Sequence, residues 1–292
     1  MPDEFAFIAA LRAIATHPAA AGLTDDTAQL DLPAGRLILT SDTMVAGVHF
    51  RPHDPPDAIG WKLAAVNLSD LAAKGAKPIG CLLNYALSGE AAWDHSFLAG
   101  LNEALVHYRM PLLGGDTVAM PQGSARSFTL TALGGGQAST PLRSGAQPGD
   151  GLWVTGRIGG AGFSPDGEPH DLARYLRPTP RLSEGQAIAP FATAMMDVSD
   201  GLLIDARRLA ETSGVAIAID LDAIPLALPD LDPIAAATAG DDYELLFTLP
   251  NGTNPPAPAT RVGDVGVGSG LHLRRARRSV PLPASLGYCH GA

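Results

Sequence analysis

The feature that most constrains this chain is a short β-prone run that empties into oxygen-bearing side chains, because the pattern keeps returning. Residues 37–50 read LILTSDTMVAGVHF. Leu37 to Thr40 form an apolar, β-prone run that ends in Thr40, Ser41 and Asp42. The chain then turns apolar again, reaches Gly47 and presents His49. A buried strand with this ending leaves polar oxygens where its apolar neighbours stop, and that is where α/β proteins bind ligands. The arrangement recurs in Leu112-Leu113-Gly114-Gly115-Asp116 and in Asp197-Val198-Ser199-Asp200-Gly201.

Between these runs the chain reads as alternating helices and strands. Residues 3–16 suit an amphipathic helix ended by His17-Pro18. Residues 57–73 suit a second, capped by Asp57 and closed by Gly75. On that helix Asn67, Asp70 and Lys74 share a face, so Asp70 faces either Lys74 or a metal ion. The adjacent Asp25 and Asp26 read either as a solvated turn or as a cation site. Strands are expected at 79–87, 128–133, 152–155, 194–198, 215–221 and 245–249, and helices at 93–109, 168–176, 183–192 and 202–212. Residues 261–267 and 271–275 read as a hairpin whose arginines, 274–278, form a solvated edge. The Gly- and Pro-rich segment 141–149 reads as a linker, which divides the chain into 1–140, an α/β domain, and 141–292, an α+β domain.

Strand, Ser-Asp-Gly, helix places Ser199 and nearby amides at a helix N-terminus, a natural phosphate site. Simple capping by Ser199 or Asp200 accounts for the same residues. Composition narrows the partners. The chain has 292 residues and a formal net charge of −10, with lysine only at Lys62, Lys74 and Lys77. Such a balance does not favour nucleic acid and suits cations, or anions escorted by cations. No apolar run is long enough for a membrane span, and the acidic start lacks the basic region of a signal peptide, so a cytoplasmic protein is expected. Cys81 and Cys289 sit in no zinc or redox spacing. The chain also lacks the P-loop and dinucleotide-binding glycine patterns and a nucleophile elbow.

What remains is a set of aspartates: Asp26, Asp42, Asp70, Asp116, Asp197 and Asp200. If they converge, only cations make their charge tolerable. Oxygen ligands helped by hydroxyls suit magnesium rather than zinc. Several magnesium ions among carboxylates suit polyphosphate transfer.

The segments TSDTMVAGVHF, KLAAVNLSDLAAKGAKP, LLGGDT, DVSDGLLIDARRLAETSGV and GDDYELLF, in this order, resemble the signature segments of the thiamine-monophosphate kinase family. That family belongs with aminoimidazole-ribonucleotide synthetase, selenophosphate synthetase and HypE. The resemblance implies a two-domain fold, an N-terminal domain whose strands form a β-barrel across a homodimer, and ATP between the domains. It implies in-line transfer of the γ-phosphoryl group of ATP to thiamine monophosphate, giving thiamine diphosphate, with several Mg2+ ions and no enzyme nucleophile. Carried over residue by residue, the implied metal positions are Asp26, Thr40, Ser41, Asp42, Asp70, Asp116, Asp197 and Asp200, with the catalytic weight on Asp42 and Asp116. Nucleotide contacts are implied at Gly115, Asp116, Arg143 and Ser199, and substrate contacts at His49 and Asp241.

The chain departs from the family pattern at three places. Thr24 replaces the glycine before the paired aspartates. Asp241 stands in AGDDYEL where glutamate is common. Ser285 stands where many relatives carry an aromatic residue that stacks on the substrate. The alternatives are a non-catalytic nucleotide- or metal-binding relative, or an enzyme like HypE or selenophosphate synthetase. Against the last two, no cysteine falls in the first 60 residues, and Cys289 is followed by His290-Gly291-Ala292.

Overall fold

The computed structural model describes residues 4–23, 35–121, 123–136 and 140–289. The chain divides into two compact units, one of Met1–Leu71 with Lys77–Ala138 and one of Ala72–Ala76 with Ser139–Ala292.

The first unit runs α1 (Glu4–Ile14), β1 (Arg36–Val45), α2 (Pro56–Ala72), β2 (Lys77–Leu87), α3 (Ala91–His107), β3 (Leu112–Ala119) and β4 (Ser127–Gly136). Its sheet has four strands in the order β1-β4-β2-β3; β4 is antiparallel to both its neighbours, and β3 is parallel to β2. Strand periodicity assigns the two faces. One face carries Met44, Tyr85, Phe128, Leu130 and Ala132, all buried. Tyr85 and Phe128 stack at 4.9 Å between ring centroids, and Phe97 of α3 closes on Phe128 at 4.7 Å. The Tyr85 hydroxyl is satisfied inside this core by Asp94 at 2.7 Å. The other face is open: Leu39 is 61% exposed, and Leu37, Leu82 and Val118 are also exposed. Within one chain this sheet is not closed; β1 and β3 are its edges.

Three expectations shift here. β1 does not stop at Thr40 but continues to Val45, because Ser41 to Val45 keep the antiparallel register with Thr131 to Ser127. Thr40, Ser41 and Asp42 therefore lie within a half-exposed edge strand, not at the end of a buried one. Likewise Gly115 and Asp116 lie inside β3. Asp57 is not the cap of α2, which begins one residue earlier at Pro56. Proline's fixed φ suits the first helical position.

The second unit runs β5 (Gly151–Thr155), α4 (Leu172–Leu176), α5 (Leu182–Ile188), β6 (Ala194–Val198), α6 (Leu202–Ser213), β7 (Ala216–Asp220), α7 (Pro233–Thr238), β8 (Glu244–Leu249), β9 (Ala259–Gly266), β10 (Gly270–Arg275) and β11 (Arg278–Val280). These strands form one sheet in the order β11-β10-β7-β9-β5-β8-β6. β6 and β8 are buried along their whole length, as continuous apolar runs demand. On one side Val198, Leu246, Ile217 and Leu273 meet Leu203 and Leu209 of α6. On the other side Met195, Phe247 and Leu249 meet Ile188, Ala72 and Ala73.

The hairpin expected of 261–267 and 271–275 does not form. β7 lies between β9 and β10, antiparallel to the first and parallel to the second. The pairing buries Leu271 and Leu273 beside Ile217 and Ile219, which a two-stranded hairpin would leave half covered. The arginine-rich hairpin is instead β10–β11, turning at Ala276 and Arg277, both with positive φ. α4 starts at Leu172 rather than at 168, because Asp171 caps it through the amides of Ala173 and Arg174. Cys81 is buried and Cys289 exposed.

Candidate functional site

The residues expected at the site fall on both units. In the first, β1 and α2 bring oxygens together. The Thr40 hydroxyl donates to Asp70 Oδ2. The amide of Asp42 donates to Asn67 Oδ1 at 3.0 Å, and Asn67, fully buried, is steadied by the Leu63 carbonyl at 3.0 Å. Asn67 and Asp70 are one turn apart, so α2 presents both to the edge of β1. Among the described residues this is the closest approach of the expected ligands on the first unit.

Ser41 does not join them through its side chain. Successive side chains of a strand point to opposite faces. The Ser41 hydroxyl therefore pairs with Thr131 Oγ1 at 2.9 Å on the open face, while Thr40 and Asp42 face the helices beside Ala132 and Leu130. A single wall of Thr40, Ser41 and Asp42 side chains is excluded by the pleat.

Asp116 is exposed on β3, where its Oδ1 accepts from the Thr117 amide at 2.9 Å. Gly115 has φ +150°, and a Cβ there would stand 1.7 Å from the Leu83 carbonyl oxygen, so only glycine fits. β1 and β3 are opposite edges of the sheet with two strands between them. At strand spacings near 4.8 Å, Asp42 and Asp116 are about 14 Å apart in one chain, beyond the reach of one ion with oxygens at about 2.1 Å. No group of three His, Cys, Asp or Glu among the described residues lies close enough to hold a metal ion. Asp26 and Thr24 lie outside the described residues.

His49 follows the turn after β1. Its Nδ1 accepts the Val45 amide at 3.1 Å, which leaves the ring proton of the neutral form on Nε2. The buried Lys62 donates to the His49 carbonyl at 3.1 Å and fixes the turn from α2.

In the second unit the chain leaving β6 is held from three sides. Asp197 is buried in β6. The Ser199 carbonyl accepts the Asp241 amide at 2.8 Å, and the Asp200 carbonyl accepts the Tyr288 amide at 2.9 Å. Asp241, in the left-handed region at φ +63°, takes the Tyr243 hydroxyl on Oδ1 at 2.8 Å. Ser199, Asp200, Asp241 and the segment 287–288 are thus brought together. Neither Ser199 nor Asp200 caps α6: Gly201 is the N-cap residue and no side chain bonds there. The Asp200 side chain instead meets Arg208 at 2.5 Å. Ser285 turns its hydroxyl onto the Gly287 carbonyl at 2.9 Å.

Arg143 is exposed, and its carbonyl accepts Thr212 Oγ1 and Ser213 Oγ, at the far end of α6. A helix of 12 residues separates it from Ser199 by about 18 Å. Their backbones therefore stand at opposite ends of α6.

Sequence reasoning missed the groups behind these residues. Asp242 is buried and receives the amides of Gly159 at 2.9 Å and Gly160 at 3.2 Å. Burial pushes its carboxyl up to about 7, against the pull of those amides and of Arg174. Glu244, also buried, takes Arg181 through both oxygens at 2.6 Å and Arg174 at 3.0 Å. Asp205, raised to about 6 by burial, takes Arg208 at 2.8 Å. The only available signal was the spacing of Asp205 and Arg208, three apart on α6.

The models of the AIR synthase related protein, N-terminal and C-terminal domains, match residues 24–136 and 147–255. The chain is 36% identical to the thiamine-monophosphate kinase of Caulobacter vibrioides over 99% of its own length and 91% of that protein's. It is similar to the crystal structure of thiamine-monophosphate kinase from Stenotrophomonas maltophilia, with a TM-score of 0.80 and 35% identity over 93% of this chain and 96% of that one. It is also similar to AaThiL complexed with AMPPCP and TMP, with a TM-score of 0.75 and 29% identity over 98% of this chain and 97% of that one. No described helix is long and apolar enough to cross a membrane. By this measure the chain belongs to the thiamine-monophosphate kinase family, a family of phosphotransferases built on the two-part AIR synthase-related fold.

Proposed function

We propose that this protein transfers the γ-phosphoryl group of ATP directly to the phosphate of thiamine monophosphate, giving thiamine diphosphate and ADP. The observation that carries the reading is the likeness, over 98% of the chain, to a protein complexed with AMPPCP and TMP. The donors on β1 and α2, namely the Thr40 hydroxyl and the carboxylates of Asp42 and Asp70, are oxygens only. That donor set fits magnesium, which takes few carboxylates and completes its shell with water and phosphate. Bound there with a nucleotide, Mg2+ would offset the charge of the polyphosphate in transfer.

The chain's own residues supply position. Asn67 holds the backbone of Asp42, and Asp70 is preset by Thr40. His49 offers an Nε2–H to the acceptor phosphate. The amides of Ser199 and Gly201, after β6, suit a phosphate group, and Arg143, at the other end of α6, suits a different part of the nucleotide. Asp241 would meet the cationic ring of the acceptor, with Asp197 and Asp200 as further cation ligands. Asp26 completes the assigned set.

The separation of Asp42 from Asp116 supports a homodimer. If β1 of one copy lies beside β3 of a second, the strands that carry Asp42 and Asp116 become neighbours, as do the open sheet faces, and the two four-stranded sheets close into a barrel. Ser41 and Thr131 would then line its interior.

The decisive measurement is formation of thiamine diphosphate from ATP, Mg2+ and thiamine monophosphate by the purified protein. Turnover that depends on all three is expected. ATP binding without thiamine diphosphate would overturn the proposal and favour a non-catalytic relative, to which the Asp241 and Ser285 departures point.

A further inference from the structure

Arg208 has a place that no motif announces. Its Nη1 donates to Asp200 Oδ2 at 2.5 Å and to Asp205 Oδ1 at 2.8 Å. Asp205 has a fully buried side chain, and its Oδ2 accepts the Asp200 amide at 3.1 Å. One buried carboxylate therefore holds both the backbone of Asp200 and the guanidinium that holds the Asp200 side chain. Arg208 is only partly covered, at 34% exposure, and Asp200 keeps 26%. A guanidinium stays charged at any working pH, and a carboxylate offers about four lone-pair sites, of which this contact uses one.

We propose that Arg208 is a positioning residue, the resident counter-ion of Asp200. It presets the carboxylate with Oδ1 left for a divalent cation. Its charge also keeps that cation weakly bound until a polyphosphate offsets it. The inference rests on the assignment of Asp200 as a cation ligand. An incoming cation meets a full positive charge one carboxylate away. At about 5 Å in a watery setting that repulsion amounts to roughly a tenfold loss of affinity. Arg208 thus couples cation affinity at Asp200 to the presence of a polyphosphate.

The test is binding of Mn2+ alone to the nucleotide-free protein, read by the signal of the free ion in electron paramagnetic resonance. Arg208→Gln keeps a hydrogen-bond donor and removes the charge. It is expected to bind Mn2+ about tenfold more tightly than the wild type. Arg208→Lys keeps the charge and is expected to match the wild type. Adding Asp200→Asn to Arg208→Gln is expected to abolish the gain. Equal or weaker Mn2+ binding by a folded Arg208→Gln protein overturns the inference, as does a gain that survives Asp200→Asn. If Arg208→Gln does not fold, Arg208→Lys binding more tightly than wild type overturns it and equal binding upholds it. The readout needs no turnover, so a wild type inactive on thiamine monophosphate would defeat the functional proposal and leave this comparison decisive.

Discussion

Asp242 shows what a single buried charge does to this protein. Its carboxyl anchors the amides of Gly159 and Gly160, and burial raises it from 3.8 to about 7. The folded chain therefore holds this proton more tightly than the unfolded chain between those values. The stabilisation is complete below the unfolded value and is lost as pH rises through about 7. Asp205, raised to about 6, adds a slope of the same sign. Unfolding midpoints of the wild type should fall from pH 5 to pH 8, by at most about 1.4 kcal/mol per pH unit for each group. Asp242→Asn should flatten that profile, and parallel profiles for the two proteins would refute the assignment. Aspartates 26, 42, 70, 116, 197 and 200 stand out in the sequence because Ser, Thr, Gly or a helix face lies within two residues of each. The pairings of Asp242 and Glu244 do not. Their partners, Gly159, Arg174 and Arg181, lie more than 60 residues away, and no local pattern encodes such a pairing.

Among elements, the strands show how local signals succeed and stop. β6 and β8 are buried throughout, and their apolar residues (Ala194, Met195, Met196 and Val198; Leu245, Leu246, Phe247 and Leu249) make them readable as buried strands. β1 was read too short. An edge strand with one open face mixes Thr and Ser with Leu, and a mixed run looks like an ending. β9 and β10 were paired wrongly because nearness in sequence favours hairpins, whereas here Ile217 and Ile219 of β7 give β10 more apolar surface to cover. β3 depends on Gly115. Gly115→Ala should cost roughly 2–4 kcal/mol, because a Cβ at φ +150° meets the Leu83 carbonyl. At Gly114 the nearest atom is Leu82 Cδ2 at 3.5 Å, so Gly114→Ala should stay within about 1 kcal/mol. Urea midpoints of the two variants check the contrast, and equal losses would contradict it.

For the whole molecule the testable consequence of the proposed homodimer is a site shared by two copies. Asp42→Asn and Asp116→Asn should each abolish most turnover while the protein stays folded. Refolded together in equal amounts, they should recover roughly a quarter of wild-type activity. Half the dimers are mixed, and each mixed dimer holds one site with Asp42 from one chain and Asp116 from the other. If both ligands came from one chain, every site would lack one of them and nothing would return. Sedimentation of the wild type as a monomer at micromolar concentration would also defeat the shared site.

By itself the sequence determined the element types of the buried strands, the two-part organisation and the residue types from which a site can be drawn. Apolar periodicity, glycine at tight turns and the company each aspartate keeps are all local properties. Only the tertiary structure decided which of these residues can meet. Strand order separates Asp42 from Asp116, the pleat turns Ser41 away from Thr40, and α6 sets Arg143 apart from Ser199. It also decided that Asp200 is held by Arg208. The physical reason is the same in each case. A side chain's type is written at its own position, but its neighbours are chosen by the burial of apolar surface elsewhere in the sheet.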